Sequence, residues 1–273
     1  MQHADRLIAE FAGYGRTLVA FSGGVDSSVV LAGAVRALGV NDVAAVTAVS
    51  PAVPSAEIKV ASEFCAGLGV THITAGTDEL LVEGYRDNGP TRCYFCKSTL
   101  LDTALGVAVE RGFAAVATGT NASDVAAGFR PGIRAAAERG ARTPLADAGL
   151  DKAAVREVAL HWGLSTWDKP AAACLSSRIA FGVGITPHRL ARVERAEAAA
   201  RKLLGAHDLR VRDLGDAVRL EVDAHLVAAA QGDAKVHTAI RDAGFNGAPL
   251  VVEAFRSGAM NELLPDRERW RHA

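Results

Sequence analysis

Three cysteines and one glycine-rich turn are the residues of this sequence best able to do chemistry. Cys93 and Cys96 stand at Cys-x-x-Cys spacing, and Cys174 follows in a stretch rich in Pro, Ser and Arg. Thiolates are nucleophiles and soft metal ligands. A helix N-terminus, where Cys93-Tyr94-Phe95-Cys96-Lys97 is expected, favours the thiolate form. A lone Cys-x-x-Cys suits a redox pair, half of a zinc site or part of an iron–sulfur site. Tetrahedral zinc wants four ligands, and no second Cys-x-x-Cys exists. Three thiols fit an iron–sulfur cluster whose fourth position is open to an exogenous ligand. Cys65 shares an apolar helix face with Phe64 and Leu68 and reads as a small buried hydrophobe.

The turn is Ser22-Gly23-Gly24-Val25-Asp26-Ser27-Ser28. A short apolar strand, Leu18 to Phe21, precedes it. A helix from Ser28 to Leu38 follows, with Gly39 as its stop. Two glycines let the backbone approach a ligand closely, and the first helical amides point into the same space, which makes an anion site. The turn has neither the Gly-Lys-Ser/Thr ending of a P-loop nor the spacing of a dinucleotide fingerprint.

Other polar residues could complete such a site. Asp26 and Asp124 are candidate magnesium ligands, since hard oxygens suit that ion. Asp124 reads equally as a helix cap in Asn121-Ala122-Ser123-Asp124. Lys169 and Arg178 flank the Cys174 loop and are candidates for phosphate or carboxylate. Arg210 and Arg212 alternate on a strand and share one face. Two guanidinium forks there could clamp a phosphate, or form a solvated outer face with Asp213 and Glu221 as partners. His3, His161, His188 and His272 have no metal-ligand spacing, and no Ser-His-Asp elbow is found.

The elements around these residues alternate. Strands are expected at Val43–Val49, Thr71–Thr74 and Ala114–Thr118, with helices over Ser55–Gly69, Cys93–Arg111 and Asp151–Trp162. Gly84–Arg92 and Gly128–Arg142 read as loops. The fold class is α/β, a doubly wound parallel sheet, in which ligands sit beyond the C-terminal strand ends. Ser22-Gly23-Gly24, Ser50 and Gly119-Thr120-Asn121 all fall there and can converge on one nucleotide. Texture changes from Thr166 to Thr186. Beyond it come a helix capped by Thr186-Pro187, strands Leu209–Leu214 and Ala217–Val222, one helix over Ala224–Ala243 capped by Asp223, and a strand Pro249–Phe255. Two domains are expected: residues 1–178, and an α+β domain over 179–273.

The chain has 273 residues, a formal net charge of −1 and is about half hydrophobic, with few aromatics. The charge argues against a broad basic nucleic-acid platform. The N-terminal stretch to Phe11 is a short amphipathic helix without a signal peptide's apolar region, and nothing is long enough to span a bilayer. A cytoplasmic location is expected, where cysteines serve as ligands or reactive thiols more often than as disulfides.

The Ser-Gly-Gly-x-Asp-Ser turn between strand and helix resembles that of the ATP pyrophosphatase (PP-loop) superfamily, which implies ATP cleaved between its α and β phosphates. Further segments make the resemblance more specific: Arg92-Cys93-Tyr94-Phe95-Cys96-Lys97, Gly119 to Asp124, Arg130-Pro131-Gly132, Thr143-Pro144-Leu145, and Trp167-Asp168-Lys169-Pro170 through Cys174-Leu175-Ser176-Ser177-Arg178. Together they resemble the LarE family, ATP-dependent sulfur transferases that build the nickel-pincer cofactor of lactate racemase. The resemblance implies a substrate, pyridinium-3,5-biscarboxylic acid mononucleotide, whose carboxylates are adenylated with ATP and magnesium and then thiolated. In some members the cysteine matching Cys174 gives up its own sulfur. In others three cysteines, matching Cys93, Cys96 and Cys174, hold a 4Fe-4S cluster, and the present pattern implies that type. Sulfide or a cysteine desulfurase would then be the sulfur source. By resemblance Glu197, Arg210 and Arg212 lie at the substrate phosphate, and the protein is a homo-oligomer, a hexamer. A PP-loop tRNA thiolation enzyme is the nearest rival.

Overall fold

A computed structural model describes residues 2–127, 131–170, 173–256 and 260. Among these, two compact units form, one holding residues 2–79 and 93–170, the other 80–92, 173–256 and 260. Arg130, Ala171 and Ala172 of the motifs above lie outside the described residues.

The first unit is built on a parallel sheet of β1 (Thr17–Ala20), β2 (Val43–Val49), β3 (Thr71–Gly76) and β4 (Ala115–Ala117), in the order β3-β2-β1-β4. Successive side chains of a strand point to opposite faces. Leu18, Ala44 and Val46 accordingly pack on one side, against Leu101, Ala104, Ala108 and Ala136. These belong to α5 (Arg92–Arg111) and α7 (Pro131–Glu138). Val19, Val43 and Ala45 pack on the other side. There they meet α1 (Gln2–Glu10), α2 (Val25–Leu38), α3 (Ser55–Gly67), α8 (Pro144–Asp147) and α9 (Lys152–His161). Both faces are covered, so every residue of β1 is buried. The sheet is doubly wound, as the alternation of elements implies. Strand order reverses at β1, which places the crevice for a ligand between the ends of β1 and β4.

The expected loop over Gly128–Arg142 is corrected by α7, which Pro131 opens as a first-turn residue and whose Ala135 and Ala136 are buried. α6 (Ala122–Ala126) is a short turn of helix just beyond β4.

The second unit holds α10 (Pro187–Leu204), capped by the Thr186 side chain and ended by Gly205 in the left-handed region. Its sheet is β5 (Leu209–Asp213), β6 (Val218–Val222) and β7 (Leu250–Ala254), with β5 antiparallel and β7 parallel to β6. The single helix expected over Ala224–Ala243 is two, α11 (Val227–Gly232) and α12 (Ala234–Asp242). Asp233 breaks the run because its side chain accepts the Lys235 amide and caps α12. Asp223 is not the expected helix cap. Its carboxylate accepts the backbone amides of His207 and Asp208 instead.

Residues 84–92, expected as a polar loop, include α4 (Glu83–Arg86) and the buried Tyr85 and Asn88. Asn88, at φ 54°, donates to the carbonyls of Ala180 and Val183 at 2.8 and 2.9 Å. Asparagine tolerates this left-handed backbone where most residues do not. Arg92 donates to Asn88 Oδ1 at 2.6 Å and to the Ser176 carbonyl at 3.0 Å. Among the described residues no helix is long and apolar enough to cross a membrane.

Candidate functional site

The glycine-rich turn leaves β1 one residue earlier than the sequence suggests, and α2 starts at Val25 rather than Ser28. Asp26 and Ser27 therefore lie in the first helical turn. The N-cap of α2 is Gly24, which has no side chain to occupy the first amides. A bound anion can take the place of a cap there. Ser27 ties the turn together: its Oγ accepts the Ser22 amide at 3.3 Å and donates to the Gly24 carbonyl at 3.1 Å, and it lies 3.2 Å from Ser22 Oγ. Thr47 steadies the approach. Its hydroxyl donates to the Phe21 carbonyl at 2.8 Å, so His72 Nε2, also at 2.8 Å, must supply the proton of their shared bond. Burial lowers the pKa of His72 and so favours its neutral form.

Gly119 closes the opposite wall, at the end of β4. A Cβ there would stand 2.9 Å from the Ser27 amide nitrogen and 3.2 Å from Asp26 Cβ. Only glycine lets the two strand ends come this close. Asn121, fully buried, caps α6 through its Oδ1, which accepts the Asp124 amide at 3.0 Å, and reaches across with Nδ2 to Asp26 Oδ1 at 2.8 Å. Burial raises the pKa of Asp26. The Asn121 hydrogen bond opposes this, Asp124 adds to it, and Lys152 lowers it. Asp124 completes the capping box and lies 3.6 Å from Lys152 Nζ. Its capping reading is thus realised, beside a carboxylate, Asp26, near enough to interact with it electrostatically. Thr120 Oγ1 lies 3.3 Å from Thr118 Oγ1 at the same strand end.

Lys169 joins this group: Nζ donates to the Gly23 carbonyl at 3.0 Å and to Glu57 Oε2 at 2.6 Å. Ser50, at the end of β2, donates to the buried carboxylate of Glu79, and its Oγ accepts the Ala52 amide at 3.2 Å. Glu57, Glu79 and Thr47 were not singled out from sequence. Their partners lie 112, 29 and 26 residues away, and no spacing rule links such pairs.

In the second unit Arg178 donates to the carbonyls of Ala173 and Cys174, the latter at 2.9 Å, and pairs with Glu197 at 2.9 Å. Glu197 Oε1 also accepts the Val211 amide at 3.1 Å, which ties the cysteine turn to β5. Arg212 binds Glu221 through Nε and Nη2 at 3.0 and 2.8 Å, both side chains buried. The expectation of a solvated outer face for Arg210 and Arg212 is corrected. Asp213, on the opposite side of β5 from Arg212, is fully buried and pairs with Arg189 and Arg192 instead. Burial, then the nearby Arg178, lower the pKa of Arg210, while Glu197 opposes.

Cys93 and Cys96 occupy the first turn of α5, Cys93 exposed and Cys96 half-buried, and Cys174 is half-buried. None of them is in a disulfide. Cys65 is fully buried in the first unit's core, and burial pushes its pKa up to about 11. Among the described residues, His207, Asp208 and Asp223 could also gather around a metal ion.

No family model matches the chain. An uncharacterized protein of Synechocystis is 39% identical over 252 residues, 91% of this chain and 93% of that protein. The pyridinium-3,5-bisthiocarboxylic acid mononucleotide synthase of Lactiplantibacillus plantarum is 34% identical over 259 residues, 94% of this chain and 93% of its own length. The chain belongs to the LarE family. It is an enzyme of that family. An uncharacterized protein of Methanocaldococcus jannaschii is 28% identical over 171 residues, 62% of this chain.

Proposed function

We propose that the chain is an ATP-dependent sulfur transferase that converts pyridinium-3,5-biscarboxylic acid mononucleotide to its bisthiocarboxylic form. The observation that carries this reading is the glycine-capped N-terminus of α2, which follows β1 where the strand order reverses, in a chain 34% identical to the named synthase. The first unit then handles ATP. Ser22, Gly23, Gly24 and Ser27 supply the turn that takes the phosphates; Ser50, Gly119, Thr120 and Asn121 line the strand ends for the rest of the nucleotide. Asp26, with Asp124 beside it, would hold magnesium on the phosphates, and hard carboxylate oxygens fit that ion.

A substrate carboxylate oxygen attacks the α phosphorus, the α–β bridge breaks, and pyrophosphate leaves. The acyl adenylate that results has AMP as a leaving group in place of an oxide. A sulfur nucleophile adds to the carbonyl carbon and AMP departs, which gives a thiocarboxylate. A second round treats the other carboxylate. The second unit holds the substrate phosphate with Arg210 and Arg212, two guanidinium forks that share one face of β5. Arg178, braced by Glu197, fixes the backbone of Cys174.

By their LarE resemblance Cys93, Cys96 and Cys174 would hold a 4Fe-4S cluster, and the chemistry of the donors fits one: thiolates are its usual ligands, and none of the three is in a disulfide. When bound, such a cluster supplies the transferred sulfur. The test is incubation of ATP, magnesium, sulfide and the biscarboxylate mononucleotide with anaerobically purified protein. Pyrophosphate and thiocarboxylate are expected together over many turnovers. A single turnover that leaves Cys174 without its sulfur would make that cysteine the donor, and no pyrophosphate at all would defeat the reading.

A further inference from the structure

Lys169 is held on the phosphate turn by two protein acceptors. The ammonium lies 2.6 Å from Glu57 Oε2 and 3.0 Å from the Gly23 carbonyl, with the side chains 19% and 27% exposed. Its base is fixed from another element. Arg156, on α9, donates to the carbonyls of Trp167 at 2.7 Å and Lys169 at 3.2 Å. Gly23 stands at φ 71°, and a Cβ there would meet the lysine nitrogen at 3.8 Å, so the ammonium rests directly on the turn. Glu57 reaches it from the first turn of α3. Two of the three ammonium protons therefore have protein acceptors at the place that, in the function proposed above, takes the phosphates of ATP.

We infer that Glu57 is a positioning residue that parks Lys169 over Gly23 and gives it up to a phosphate oxygen when nucleotide binds. This rests on the function proposed above. The lysine is anchored at its backbone by Arg156, so only the two bonds at its tip need to change for the ammonium to turn to a ligand. A triphosphate brings several negative oxygens to an ammonium that holds a single carboxylate. The carboxylate then repels the arriving phosphates, and after cleavage it draws the ammonium back and helps pyrophosphate leave. Glu57 thus weakens ground-state binding and speeds release.

Glu57→Gln removes the competing charge and keeps an acceptor of the same shape. ATP and pyrophosphate should each bind about fivefold more tightly, the upper end of what a solvent-accessible ion pair contributes. With pyrophosphate departure slowed, kcat should fall together with KM. Glu57→Asp, which keeps the charge, should return affinity towards that of the original protein. Lys169→Ala should weaken both ligands, and adding Glu57→Gln to it should change nothing further. Titration calorimetry with ATP and with pyrophosphate, in magnesium, reads all four variants. Weaker or unchanged binding by Glu57→Gln, or the same effect of Glu57→Gln with and without Lys169, would overturn the inference. That outcome leaves the proposed function standing, whereas an original protein that binds ATP and never releases pyrophosphate defeats the function and leaves the lysine exchange measurable.

Discussion

Asn121 Nδ2 donates to Asp26 Oδ1 at 2.8 Å, and this bond joins the helix after β1 to the helix after β4. It also acts against burial, which raises the Asp26 pKa. An ionised Asp26 is what a magnesium ligand requires, so Asn121→Ala should push the carboxyl further up. The acid limb of the pyrophosphate-release profile should then move to higher pH. A pH–rate profile of the variant checks this, and an unmoved limb would mean that Asp26 does not limit activity on the acid side.

The same carboxyl bears on stability. A folded-state pKa above the unfolded value means the folded protein binds the proton more tightly. Ionising Asp26 therefore costs stability as pH rises from the unfolded value, roughly 4, through the folded one, and the cost is complete above it. Asp26→Asn should raise the melting temperature at neutral pH, lose that advantage below about pH 4, and release no pyrophosphate. Melting curves at the two pH values read the sign.

Gly119 is where a strand end and a helix start meet. Gly119→Ala sets its new carbon 2.9 Å from the backbone nitrogen of Ser27. The neighbours are main-chain atoms of Asp26 and Ser27 and the Cβ of Asp26, none of which can swing aside, so the turn itself must move. Overpacking of this kind costs about 1–3 kcal/mol, and here it displaces the amides that face the ligand. Thermal melting and ATP titration should show both losses together. Stability lost with ATP affinity intact would separate the turn from the nucleotide.

Most of the fold is legible from local chemistry. Apolar runs mark β1, β2 and β4, Asp151 and Thr186 cap the helices they precede, and Gly39 ends α2. The turn, its glycines and the cysteine spacing are legible too, because each is set within a few neighbouring residues. What local reading misses is decided at long range. α7 looks like a loop because Gly, Pro and Arg gather around it, and burial of Ala135 and Ala136 against the sheet makes it a helix. Arg212 looks solvent-facing until Glu221, from the next strand, turns out to be buried with it. Lys169 carries no mark of Glu57, 112 residues away.

The four thiols should separate by environment when iron-free protein is alkylated. Cys65 is fully buried and its pKa is pushed up to about 11. At pH 8 only about one molecule in a thousand carries that thiolate, and the thiolate is the reactive form. Cys93, Cys96 and Cys174 are at least partly accessible. Mass spectrometry after brief treatment with iodoacetamide should find three modified cysteines in folded protein and four in denaturant. Arg178 bears on one of the three, since it holds the carbonyl of Cys174 and is itself balanced by Glu197. Glu197→Ala strands a buried guanidinium, which costs about 3–5 kcal/mol, and frees the turn on which Cys174 sits. Its alkylation rate should rise several-fold in that variant while those of Cys93 and Cys96 stay as they were. Equal acceleration at all three would instead point to general unfolding, and an unchanged Cys174 would show that the arginine does not govern the cysteine's accessibility.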